Sequence, residues 1–216
     1  MSDALPQLVA LLDAAPIVPL VQSDDPDGAV ALMQALRRGG LSVVEVVLRT
    51  ERAYEVVEAL CDKADDEIVG AGTILSAQNA RDAVAAGARF LVSPGLDDGV
   101  VEVARELNVP VLPGVATATE AQRAWNMGLR QVKVFPASQS GGTGKIRALA
   151  SVFQGMRFMP TGGIGAANLA EYLACPEVLA CGGSWLTPKA AVASGDFDTV
   201  ERLCREALAI AADVRG

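Results

Sequence analysis

The sequence predicts an α/β fold, a single (β/α)8 TIM barrel spanning residues 1–216 with an extra N-terminal helix. Three observations carry this. Apolar, β-branched runs recur about every 20 to 25 residues, segments with helical spacing lie between them, and no Pro- or Ser-rich linker divides the chain. A flavodoxin-like sheet would need fewer strands.

The elements follow in chain order. Residues 4–14 place Leu5, Leu8, Val9 and Leu12 at helical spacing, which predicts a helix capping the barrel floor. The predicted strands are 17–22, 43–48, 68–73, 90–94, 111–115, 131–135, 157–160 and 178–182, eight in all. After the first strand, Ala29, Leu32, Met33 and Leu36 mark a helix. After the last, Phe197, Val200, Leu203, Cys204, Ala207 and Leu208 mark another. Ser76 starts a helix over 77–86, and Thr119 with Glu120 starts one over 120–127.

Composition agrees with strands buried on both faces. Hydrophobic residues make up 51% with only 4% aromatic, the balance expected of parallel strands covered by Ala-rich helices. A formal charge of −8 disfavours nucleic acid and anionic lipid, so an anionic substrate must be met by local donors. No apolar stretch reaches the roughly 18 to 20 residues of a membrane span. Met1 to Leu12 carries one acid, Asp3, and no basic residue ahead of its apolar positions, so a cytoplasmic protein is expected. Cys61, Cys175, Cys181 and Cys204 lie far apart without a C-x-x-C pair and read as reduced packing residues. The chain has no histidine, which removes Ser-His-Asp and Cys-His triads and His-ligated zinc; any proton shuttle is a carboxylate, a lysine, a tyrosine or water.

Lys133 is one of four lysines and the only one inside an apolar strand-like run, Gln131 to Pro136. A lone ammonium held away from water is driven toward the neutral amine, a nucleophile toward carbonyls, so Schiff-base chemistry is one reading. A lysine paired with a buried carboxylate, or one at a sheet edge facing water, is the other. Strand parity narrows the choice. With Val44, Val46 and Leu48 packed outward against helices, Glu45, Val47 and Arg49 point inward, giving a buried acid and a rim arginine. With Val132 and Val134 outward, Lys133 and Phe135 point inward, so Lys133 and Glu45 can meet in one lumen. A structural ion pair remains the alternative.

Two glycine-bearing turns, Thr161-Gly162-Gly163 and Cys181-Gly182-Gly183-Ser184, follow the last two strands. Barrels often bind phosphate at these loops, where glycine lets backbone N–H groups approach the oxygens. Ser140 to Ile146 resembles a nucleotide P-loop but lacks Ser/Thr after Lys145, and reads as a flexible loop. Asp97-Asp98 and Asp65-Asp66-Glu67 lack calcium-loop spacing and read as solvated helix ends. Neither a metal nor another cofactor is expected.

These residues resemble one known family, the class I 2-keto-3-deoxy-6-phosphogluconate (KDPG) aldolases, which also cleave 4-hydroxy-2-oxoglutarate. The resemblance covers nearly the whole chain. It rests on Pro16 to Pro19, Glu45 to Thr50, Gly70 to Thr73, Ser93 to Gly95, Pro113-Gly114, Lys133 to Pro136, Pro160 to Gly163 and Gly182 to Trp185, in that order. It implies that Lys133 forms the imine, that Glu45 shuttles protons, and that Arg49 with Thr73 holds the pyruvate end. It further implies that Gly162, Gly163 and Ser184 take the phosphate end, that Pro94 and Phe135 lie beside the keto acid, and that the chain assembles as a homotrimer. Thr161, Gly182 and Gly183 belong to the same substrate-binding set, and the implied partner is a small 2-keto acid, phosphorylated or not. The sequence departs from the family pattern at Val47 and Ala116, where threonine and serine are common, and at Ser138, where many members have glutamate.

Two other classes share parts of this pattern. A sugar-phosphate isomerase, epimerase or decarboxylase would use Lys133 only electrostatically and needs acid-base groups at several strand ends, whereas Glu45 is the one inward acid predicted here. A non-catalytic phosphosugar sensor would keep the Gly-Gly turns but has no use for an inward lysine and acid together.

Overall fold

A computed structural model of the chain describes residues 4–216, so the first three residues of the Met1 to Leu12 stretch lie outside it. The element order is α1 (Ala4–Ala14), β1 (Ile17–Val21), α2 (Pro26–Arg38), β2 (Val43–Val47), α3 (Ala53–Lys63), β3 (Ile68–Gly72), α4 (Ala77–Ala85), β4 (Leu91–Val92) and α5 (Asp98–Glu106). There follow β5 (Val111–Leu112), β6 (Gly114–Val115), α6 (Ala118–Asn126), β7 (Gln131–Val134), α7 (Gly142–Val152), β8 (Arg157–Pro160), α8 (Ala166–Leu173), β9 (Cys181–Gly183), α9 (Lys189–Ser194) and α10 (Phe197–Arg215).

All paired strands run parallel, in the order β5-β4-β3-β2-β1-β9 and β6-β7-β8. The two arcs join into the predicted barrel at two seams. Between β8 and β9 the bridges Phe158 to Val178 and Thr161 to Gly182 continue the pairing. Between β5 and β6 only Pro113 intervenes, so the predicted strand 111–115 is one strand broken at a residue with no N–H. Its carbonyl still accepts from the Lys133 N–H at 2.9 Å, which carries the ladder across the break.

Strand parity sorts the core into two layers. Val44, Val46, Val132 and Val134 pack outward with helix residues such as Leu32, Leu36, Val56 and Leu149. Val18, Val43, Ile68, Phe90, Val92, Leu112 and Met159 fill the lower lumen, where Leu8 and Leu12 of α1 close the floor as predicted. Gly70 makes this layer possible, because a Cβ there would lie 2.3 Å from the Phe90 ring.

Several boundaries differ from the sequence reading. The fourth strand is only Leu91–Val92, and the eighth starts at Cys181, with Val178 making a lone bridge. The N-cap of α6 is Thr117 rather than Thr119: Glu120 closes a capping box with Thr117, and the helix starts at Ala118. Ser140 to Ile146 is not a loop throughout; left-handed Gly141 and Gly142 open α7, and Ile146 is buried on its inner face. Glu67 is not solvated. It is buried, accepts the Asp65 N–H at 2.9 Å and lies 3.4 Å from Arg37 Nε. Asp97, in contrast, caps α5 as a helix-end acid should, accepting the Val100 N–H.

Candidate active site

The upper lumen is where the barrel stops being apolar. Glu45, on β2, is fully buried, and Lys133, on β7, is 3% exposed. Their charged ends meet, with Lys133 Nζ 3.6 Å from Glu45 Oε1. The ammonium also lies 5.3 Å from the centroid of the Phe135 ring. Neither carboxylate oxygen of Glu45 has a hydrogen-bond partner among the described residues. Gly72 creates the room for this carboxylate, since a Cβ there would sit 1.9 Å from Glu45 Oε1. The sequence signal for Gly72 was its shared parity with Gly70, which marks both as inward and side-chain-free.

Arg49 takes the rim position that parity predicts, although it lies beyond the strand. β2 ends at Val47 and the chain turns, the Arg49 N–H donating to the Val47 carbonyl at 2.8 Å, and exposed Arg49 lines the cleft beside Val47. Its Nε donates to Thr73 Oγ1 at 3.0 Å. Thr73 holds φ at +63°, an uncommon conformation for a β-branched side chain that costs on the order of 1–3 kcal/mol and clusters at functional sites. Leu48 and Ile74 N–H groups pin the turn from both sides through the carbonyls of Gly72 and Val92.

The Gly-Gly turn after β8 is built to present N–H groups. Gly162 and Gly163 adopt φ of +97° and +77°. The carbonyls of Thr161, Gly162 and Gly163 are held from behind: the Ala137 and Ser138 N–H groups donate to those of Thr161 and Gly162 at 2.8 and 3.1 Å. Ser138 Oγ and Asn168 Nδ2 donate to Gly163 at 2.9 and 2.8 Å. Among the described residues the N–H groups of Gly162, Gly163 and Ile164 donate to no protein acceptor. Successive free donors of this kind form an anion-binding concavity. Thr161, buried with an unpartnered hydroxyl, packs into space left by Gly182, where a Cβ would lie 2.4 Å from its Oγ1.

A cleft of about 220 Å³ runs between the Arg49 rim and the glycine turns. It is lined by Val47 and Arg49 at one end, by Phe135 and Thr161, and by Gly162, Gly163, Gly182, Gly183 and exposed Ser184 at the other. Four expected residues do not line it: Glu45 and Lys133 lie buried in the lumen, and Thr73 and Pro94 are also set apart from it. Thr73 reaches it only through Arg49, and Pro94 sits behind β6, its carbonyl against Gly114 where a Cβ would lie 2.1 Å away. Of the three departures, Val47 faces the cleft and Ser138 braces the Gly-Gly turn. Ala116 is engaged elsewhere, its carbonyl accepting from Lys145 Nζ at 2.6 Å. Sequence reasoning missed Asn168 and Lys189; Lys189 also lines the cleft.

Cys181, next to Gly182, is no nucleophile: burial pushes its thiol up to about 12, although Arg215 pulls in the opposite direction. All four cysteines are free thiols. Among the described residues no cluster of acids and thiols is placed to hold a metal ion, and no helix is long and apolar enough to cross a membrane.

Comparison with known proteins gives a consistent answer. The family model for KDPG and KHG aldolase matches residues 8–203. The 2-dehydro-3-deoxy-phosphogluconate aldolase of Treponema pallidum is 45% identical over 92% of this chain and 95% of its own. The KHG/KDPG aldolase of Escherichia coli is 41% identical over 92% and 93%. The crystal structure of a KDPG aldolase from Legionella pneumophila, with pyruvate captured at low pH as a covalent carbinolamine intermediate, superposes with a TM-score of 0.88. It has 37% identity and covers 91% of this chain and 96% of that one. On this likeness in sequence and fold, the chain belongs to the KDPG and KHG aldolase family.

Proposed function

We propose that this chain, acting as one barrel domain, is a class I aldolase. It cleaves 2-keto-3-deoxy-6-phosphogluconate to pyruvate and glyceraldehyde 3-phosphate, with 4-hydroxy-2-oxoglutarate, which yields pyruvate and glyoxylate, as a second substrate. The observation that carries this reading is the isolated Lys133–Glu45 pair. An ion pair kept for stability needs its remaining lone pairs satisfied, whereas among the described residues both oxygens of this buried carboxylate lack a hydrogen-bond donor. The acid sits ready for a substrate hydroxyl or a water.

In the proposed reaction Lys133 Nζ adds to the C2 ketone, and the carbinolamine oxygen leaves as water with a proton from Glu45. The resulting iminium accepts the electrons of the C3–C4 bond. As that bond breaks, Glu45 takes the C4 hydroxyl proton, directly or through one water, and the aldehyde departs. Glu45 then returns a proton to C3 of the enamine, and hydrolysis releases pyruvate and the free lysine. Arg49 and Thr73 hold the keto-acid carboxylate, while Pro94 and Phe135 flank the reacting carbons. The turns Thr161-Gly162-Gly163 and Gly182-Gly183-Ser184 take the phosphate. The cofactor-free chemistry is complete with these groups.

Two variants test the assignment. Lys133→Ala should give no mass adduct after incubation with pyruvate and borohydride; an adduct that persists in it refutes the imine assignment. Glu45→Gln should slow turnover by about 10²- to 10⁴-fold while still trapping pyruvate, the range for lost general acid-base help, and unchanged turnover removes Glu45 from the mechanism. The family resemblance supports a cytoplasmic homotrimer. Sedimentation equilibrium should then return three times the 22.3 kDa chain mass, and a monomer mass would overturn it.

A further inference from the structure

We propose that Lys189 supplies the positive charge at the phosphate end of the cleft, and so sets the preference for phosphorylated over unphosphorylated substrate. The inference rests on the aldolase reading for the identity of the substrate, but on the cleft alone for the site. Lys189 lines the cleft together with Gly162, Gly163, Gly183 and Ser184, and among the described residues the only other basic residue lining it is Arg49, which follows β2. Arg49 is already committed to Thr73. The Gly-Gly turn offers neutral N–H donors, and a chain of net charge −8 gives a phosphate dianion no long-range attraction. A local cation has to compensate that field.

Lys189 is positioned and free for the task. Its backbone is anchored because Thr187, two residues earlier, is buried and donates its hydroxyl to the Leu20 carbonyl at 2.7 Å, while the Thr187 N–H donates to the Ser184 carbonyl at 3.3 Å. The side chain is exposed and makes no ion pair among the described residues. The acid on the adjoining groove that Lys189 also lines is Asp24, whose carboxylate accepts the Arg52 N–H at 3.0 Å. With no ion pair among the described residues, the exposed ammonium is available to a phosphate in the cleft.

The test compares Lys189→Met and Lys189→Arg with the unsubstituted enzyme. Expected for Lys189→Met is a rise of about tenfold in KM for 2-keto-3-deoxy-6-phosphogluconate, the scale of one charge-assisted contact at a partly exposed site. The inhibition constant of inorganic phosphate should rise by the same factor. Both effects should shrink at high salt, and Lys189→Arg should restore most of each. The pyruvate concentration that half-saturates borohydride trapping should move less than twofold, because pyruvate carries no phosphate. An unchanged phosphate inhibition constant overturns the proposal, as does an equal shift for pyruvate and phosphate. If the unsubstituted chain traps no pyruvate, the aldolase reading fails. Direct calorimetric titration with inorganic phosphate then decides the Lys189 site by itself: weaker binding in Lys189→Met sustains it and equal binding ends it.

Discussion

A carboxylate with no hydrogen bond from the described residues, placed in a barrel lumen beside an ammonium, is costly enough to require a use. Here the cost is accommodated by glycine as much as by charge. Gly72 leaves the volume that the Glu45 carboxylate fills, and Gly182 does the same for the unpartnered Thr161 hydroxyl. The most direct consequence is for Gly72→Ala. Its Cβ would overlap Glu45 Oε1, so the acid must rotate away from Lys133. Turnover should fall by about 10²-fold, the loss that a displacement of roughly 1 Å in a catalytic group can cause, with a native circular dichroism spectrum. Wild-type turnover in that variant would show that the position of the carboxylate is not critical. Parity on β2 and β7 made Glu45 and Lys133 legible from sequence. The same rule put Arg49 at the rim, where it lines the cleft although the strand ends two residues before it.

At the scale of elements, α6 shows how a helix start is specified. Glu120 Oε2 accepts the N–H groups of Ala116 and Thr117 and the Thr117 hydroxyl, each at 2.8 Å, and the Glu120 N–H returns a bond to Thr117 Oγ1. Burial pushes the Glu120 carboxyl up, but the Ala116 and Thr117 donors and nearby Lys145 outweigh it and hold it below the usual carboxylate range. A group lowered on folding contributes stability above its unfolded value, about 4.3 for glutamate, and loses it as pH falls through the folded one. Thr117→Ala should therefore cost about 1 kcal/mol near neutral pH. In urea titrations the destabilisation caused by Glu120→Gln should shrink between about pH 5 and pH 3. A penalty that stays constant across this interval would show that the carboxylate charge plays no part. The sequence pattern places this start at Thr119, whereas the N-cap is Thr117. Only the return of Glu120 to the Thr117 N–H chooses between them.

For the whole molecule, function and stability sit at opposite ends of one barrel. The floor is a closed apolar layer in which Leu8 and Leu12 of α1 meet residues from most strands, and the top carries the charges and the glycine turns. Leu12→Ala should destabilise the chain by about 2–5 kcal/mol with kcat retained. A kcat loss without a stability loss would contradict this separation of ends. The number and order of the strands, the floor helix and the inward pair were all determined by the sequence itself, because a repeat of alternating apolar runs leaves few ways to bury both faces of a parallel sheet. What only the tertiary structure decided concerns groups that act across the lumen. These are the 3.6 Å approach of Lys133 to Glu45, the cavity Gly72 leaves, the bracing of the Gly163 carbonyl by Ser138 and Asn168, and the presence of Lys189 in the same cleft as Arg49. Each joins residues from different βα units. The local pattern of each unit fixes its own geometry but not the distance to another, which is set when the barrel closes.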